Sequence, residues 1–145
     1  MVVLDTDLLS LLERDSGEAA TLRRRLRGAE AGAVVTTIIN FEEQMRGWLA
    51  VVARARTMAR QIQAYDRLHR FLENYREIPV LDFDARAATE FQRLRKEHRR
   101  LSANDLKIAA IVIANNATLL TRNASAMAHW NAPRREPRAT AGVPR

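Results

Sequence analysis

The chain has 145 residues, a formal net charge of +7 and no cysteine. That length suits one domain with a real core, and the absence of cysteine excludes disulfides and thiolate metal sites. The longest unbroken apolar run, Ile108 to Ala114, is too short to span a bilayer. The amino terminus shows no charged-then-apolar signal pattern, so a cytoplasmic chain with no membrane partner is expected. The charge is almost entirely arginine, because Lys96 and Lys107 are the only lysines. Guanidinium groups suit phosphate and so agree with a nucleic-acid partner. A composition rich in Arg, Ala and Leu is equally what a GC-rich genome gives.

Met1 to Leu4 is a short apolar run with two adjacent valines, which reads as a buried strand ending at Asp5. Asp7 to Arg14 reads as a short helix capped by Thr6 or Asp7, and Ser16-Gly17 breaks it. Glu18 to Arg27 has Leu22 and Leu26 on one face and arginines on the other, an amphipathic surface helix. The β-branched run Ala33 to Ile39 predicts a second strand. Asn40 is then expected to start a helix to about Arg54, interrupted at Gly47. Met58, Ile62, Tyr65, Leu68, Leu72 and Tyr75 recur at helical spacing and predict a long helix from Thr57 to Glu77. Val80-Leu81 reads as a third strand. Asp82 or Asp84 caps a helix to about Arg99, Ser102 opens another to Asn116, and Ala117 to Thr121 reads as a fourth strand. Strands alternating with helices imply an α/β fold with a parallel sheet and crossover helices. Periodicity fails after Asn123, and three of the four prolines follow Ala124. Residues 124–145 therefore read as an irregular tail, disordered or loosely docked.

Three carboxylates fall at related places. Asp5 ends the first strand, where open α/β sheets place their ligands. Glu43 follows Asn40 by three residues, and Asp105 follows Ser102 by three. Both read as first-turn positions, which the helix dipole favours for structural reasons alone. Acids converging on one cleft repel unless a cation lies between them, and a hard divalent ion such as Mg²⁺ or Mn²⁺ prefers oxygen ligands. Asp7 is a candidate further ligand or outer-sphere group. Thr121 and Asn123, at the end of the fourth strand, are candidates to hold a carboxylate in place.

The segments LDTD, TTIINFEEQMRG and LSANDLKIAA leading into ATLLTRN resemble the PIN-domain ribonucleases, and among them the VapC toxins of prokaryotic toxin–antitoxin pairs. The resemblance covers about residues 1–123. It implies a PIN-like, Rossmann-like parallel sheet of four to five strands with helices on both faces. It implies Asp5, Glu43 and Asp105 as catalytic, metal-binding acids, with Thr121 and Asn123 as the supporting polar pair; Asp7 stays a supporting candidate from its position alone. It implies Mg²⁺- or Mn²⁺-dependent cleavage of RNA, a VapB-type antitoxin as partner, and a homodimer. The pattern departs at the end of the chain. Ala126 stands where the family carries a further acid, and the Arg/Pro/Ala-rich tail replaces a fifth strand, which puts a second metal and full activity in question. The competing reading is a non-catalytic PIN-like module that binds RNA or protein. The 57–77 helix and the Leu8–Leu12 region are expected to offer the dimer or antitoxin surface.

Overall fold

The computed structural model describes residues 1–122; Asn123, Ala126 and the 124–145 tail lie outside the described residues. The chain runs β1 (Val2–Leu4), α1 (Thr6–Leu12), α2 (Gly17–Arg27), β2 (Val34–Thr37), α3 (Ile38–Arg54), α4 (Met58–Glu77), β3 (Val80–Leu81), α5 (Ala85–Glu97), α6 (Ala103–Ala114), β4 (Thr118–Leu120). The described strands form one sheet of order β3-β2-β1-β4, parallel throughout. This is the expected α/β architecture, a parallel sheet with crossover helices. None of the described helices is long and apolar enough to cross a membrane.

β1 is central, pairing Val2 and Val3 with Val34 and Val35 on one side, and Val2 to Leu4 with Thr118 to Leu120 on the other. Strand order reverses at β1, so its carboxyl end is the switch point where open α/β sheets leave a crevice. Side chains alternate across the sheet. Val3 joins Val35, Ile39, Ala87, Ile108, Ile111 and Val112 in one buried cluster. Leu4 turns the other way, to Leu8, Leu9, Leu11 and Ala19. Val3 and Leu4 are both wholly buried, and each such side chain contributes about 1.5–3 kcal/mol of apolar transfer. α6 is apolar on most of its circumference and buried, as a helix packed on several sides must be.

Helix starts differ from the sequence reading in an instructive way. Asp5, rather than Thr6 or Asp7, is the N-cap of α1. Thr37 is the N-cap of α3, its hydroxyl accepting from the Asn40 N–H. A Thr at the end of a β-branched strand serves both as its last residue and as a cap, so α3 begins two residues before Asn40. Glu43 is accordingly the sixth helical residue and not in the first turn. Gly47 does not interrupt α3, which continues to Arg54. The Leu8–Leu12 region is core rather than surface, since Leu8, Leu9 and Leu11 are buried. α4 buries Ala64 and Phe71, while Met58, Ile62, Tyr65 and Leu72 are exposed.

α6 closes on a left-handed residue, Asn116, with φ of 50°. Its N–H donates to Ile113 O at 3.1 Å, and the next N–H, of Ala117, donates to Val112 O at 3.0 Å. This paired closure is the Schellman arrangement, and it turns the chain directly into β4 beside β1. Replacing Asn116 with valine should lower stability by about 1–2 kcal/mol in urea unfolding, while Asn116→Gly should not; equal stability of the valine variant would contradict this role.

Candidate active site

The carboxyl end of β1 is pinned before any functional side chain is placed. The Asp5 N–H donates to Leu120 O at 3.0 Å, extending the β1–β4 ladder by one residue. The Asp5 carbonyl accepts from Leu8 and Leu9 as the first turn of α1. The Thr36 hydroxyl donates to Leu4 O at 3.1 Å, tying β2 to β1 at the same level. Thr36, Thr37 and Asn40 are each 0 % exposed.

Asn40 is the hub of the edge. The Thr37 hydroxyl donates to Asn40 Oδ1 at 2.5 Å, which fixes which end of the amide is Nδ2. Nδ2 then donates to Asp5 Oδ1 at 3.1 Å and to Thr6 Oγ1 at 2.9 Å. Asp5 Oδ1 also accepts from the Thr6 N–H at 2.8 Å. Thr6 Oγ1 passes the chain on by donating to Glu43 Oε2 at 2.8 Å. Glu43 Oε1 accepts from Asn104 Nδ2 at 3.0 Å. Five side chains from β1–α1, α3 and α6 are thus joined in one line: Asp5, Asn40, Thr6, Glu43, Asn104.

Asp105, beside Asn104, is turned to its own helix start. Its N–H donates to Ser102 Oγ at 3.1 Å, and the Ser102 hydroxyl donates to its Oδ2 at 2.7 Å. Asp105 and Asp7 are exposed, and Thr121 is half-buried in the irregular stretch after β4. Asp5 and Glu43 are therefore brought together through Thr6 and Asn40, whereas Asp105 approaches through its neighbour. Among the described residues no three acids or histidines lie close enough to hold one ion. No Arg or Lys among them forms an ion pair with Asp5, Glu43 or Asp105.

The oxygen-only donor set nevertheless fits a hard divalent cation. Two partly buried carboxylates, Asp5 and Glu43, are linked by neutral groups alone. Sequence reading missed Asn40, Thr6 and Asn104. Asn40 was taken for a helix start, and the amides carry no charge to mark them. A small polar residue one turn before Glu43 on the same helix was the available signal.

On the other face of the sheet, a cavity of about 350 Å³ is lined by Leu9, Leu12, Glu13, Arg23, Gln44 and Tyr75 among others. Burial raises the Glu13 carboxyl above its ordinary range, against hydrogen bonds from Asn74 and Trp48 that lower it. Burial, and then the Glu13 charge, push the Tyr75 phenol well up; its hydroxyl donates to Gln44 Oε1 at 2.6 Å.

The PIN domain family model matches residues 2–128. No curated protein matches the sequence. Among solved structures the chain is similar to VapBC2 from Rickettsia felis bound to a promoter DNA fragment, with 23% identity, a TM-score of 0.67, and 89% of this chain and 92% of that chain covered. It is similar to VapBC-1 from nontypeable Haemophilus influenzae at 16% identity and a TM-score of 0.69, covering 88% of this chain and 91% of that one. VapC20 of Mycobacterium tuberculosis, a sarcin–ricin loop-cleaving toxin, aligns at 16% identity and a TM-score of 0.52 over 88% of this chain and 95% of that one.

Asn40→Ala should cost about 2 kcal/mol in urea unfolding, because it strands the Thr37 hydroxyl and removes a donor from Asp5; a cost within error of zero would contradict the hub. Glu13, whose folded carboxyl titrates above its unfolded value, favours the folded state only while protonated, so its contribution is present below the ordinary glutamate range, about 4.3, and is lost as pH rises through the higher folded value. Glu13→Gln should therefore raise the melting temperature at pH 7 and leave it unchanged near pH 4; the same shift at both values would contradict the burial effect.

Proposed function

The chain belongs to the PIN-domain family, and on that premise we propose that it is a divalent-metal-dependent endoribonuclease that acts as the toxin of a type II toxin–antitoxin pair. The observation that carries this reading is the hydrogen-bonded line at the carboxyl edge of β1, which joins the Asp5 and Glu43 carboxylates through the neutral Thr6 and Asn40 alone. Asp5, Glu43 and Asp105 would hold the ion, with Asp7, Thr121 and Asn123 as supporting groups. A Mg²⁺ or Mn²⁺ ion there supplies a Lewis acid that activates water and offsets charge developing on a phosphodiester.

The chain's own residues do the rest. Asn40 and the Thr6 N–H hold one Asp5 oxygen, Oδ1, in place. Asn104 and Thr6 hold both Glu43 oxygens, so Glu43 is oriented by neutral donors and would keep its full charge for an ion. Ser102 does the same for Asp105. Basic side chains further out along the helices offer contacts to the RNA backbone.

The VapBC structures named above are toxin–antitoxin complexes, and that likeness supports a VapB-type antitoxin as partner. The exposed Met58, Ile62, Tyr65 and Leu72 on α4 give an apolar surface for that partner or for a second copy of the chain. A second reading has its own observation: with Glu43 and Asp105 both engaged, no three acids meet among the described residues, as expected of a PIN-like module that binds RNA or protein without cutting.

Incubating the purified chain with structured RNA and Mg²⁺ or Mn²⁺ separates the two. Cleavage is expected, and Asp5→Asn and Asp105→Asn should each lower it by about 100-fold or more, the loss of several kcal/mol of transition-state stabilisation. A folded chain that cuts no RNA with either ion would favour the non-catalytic module.

A further inference from the structure

We propose that the far end of the α3–α4 hairpin carries a second RNA contact, a phosphate-binding site formed by Arg54, Arg60 and Arg67. The inference rests on the ribonuclease reading for the identity of its ligand, a single-stranded RNA backbone, and on its own observations for the site. The last turn of α3 and the first turns of α4 enclose a shallow concavity of about 340 Å³, lined by Val51, Arg54, Ala55, Arg60, Gln63, Ala64 and Arg67. No acid lines it. None of the three guanidinium groups has an ion pair or hydrogen bond to a described residue. Arg46, Arg70, Arg76, Arg86, Arg93 and Arg122 differ, since each pairs with a carboxylate.

Three uncompensated positive charges around one concavity repel each other, and an anion relieves that repulsion. Guanidinium forks match phosphate oxygens in pairs, and the Gln63 amide adds a neutral donor. The rest of the lining, Val51, Ala55 and Ala64, is apolar and carries no charge that would offset the arginines.

Helix geometry aligns this site with the candidate active site. Arg54 lies eleven residues after Glu43 on α3, close to three turns, so the two share one face about 16 Å apart. Between them on that face are Gly47 and Ala50. Nothing lies within 4 Å of where a Gly47 Cβ would stand, so the helix surface there is bare. A glycine inside a helix costs about 1 kcal/mol relative to alanine, and here it leaves an open track. A strand crossing Glu43 would reach the arginines after roughly three to five nucleotides, given about 3.4 Å per nucleotide when stacked and more when extended.

The test uses the full chain carrying Asp5→Asn, without added metal, and a fluorescein-labelled single-stranded RNA of about a dozen nucleotides read by anisotropy across a salt series. Adding Arg54→Gln, Arg60→Gln and Arg67→Gln together should raise Kd about ten- to fiftyfold near 0.15 M salt and reduce the log–log salt slope by about two. A charge-matched triple, Arg70→Gln, Arg76→Gln and Arg93→Gln, should move both far less. Should the first triple not fold, Arg60→Gln alone is expected to give about a third of the slope change. Equal effects of the two triples, an unchanged Kd, or no RNA binding by the Asp5→Asn chain would each overturn the proposal. Failure of the ribonuclease reading is seen separately, as absence of cleavage by the chain with Asp5 intact.

Discussion

A single buried amide holds the functional edge of this protein together. Asn40 sits on the first turn of α3 with no exposed surface, accepts from Thr37 and donates to Asp5 and Thr6. It thereby ties the β2–α3 junction to the β1–α1 junction. Buried polar groups are tolerated when every partner is present, and among the described residues no buried side-chain nitrogen or oxygen lacks one. A network so closed specifies one arrangement. It also makes the two strands' ends rigid at the switch point, where a reacting group needs to be held.

The electrostatics follow from that arrangement. Asp5 lies at the N-terminus of α1 and Asp105 in the first turn of α6, where backbone N–H groups favour negative charge. Glu43 lies beyond the first turn of α3, and its charge is instead supported by the Thr6 hydroxyl and the Asn104 amide. Neutral donors can orient a carboxylate without neutralising it. The edge therefore keeps its negative potential, the condition a hard cation requires, while the basic side chains stand further out along the helices.

Much of the fold was legible because periodicity and caps agreed. The valines of β1, the β-branched run of β2, and the Ser102–Asp105 pair that opens α6 all marked elements found at those places. The start of α3 was misplaced for a local reason. Thr37 extends the strand pattern and caps the helix as well, so Asn40 looked like the start of α3. The apolar spacing in α4 was legible too, but periodicity records an apolar stripe, not what covers it. Met58, Ile62, Tyr65 and Leu72 face outward while Ala64 and Phe71 pack within. In the candidate site, charge drew attention to Asp5, Glu43 and Asp105. The neutral Thr6, Asn40 and Asn104 that connect them became visible only when distant turns met at one edge.

The central claim is that the carboxylates at the end of β1 form a site for one divalent ion. Titrating the folded chain with Mn²⁺ and following free ion by electron paramagnetic resonance tests it without depending on an RNA substrate. One bound ion per chain, lost in both Asp5→Asn and Glu43→Gln while the fold is retained, is the result the account predicts. Mn²⁺ binding that is absent, or that survives both substitutions, would contradict it.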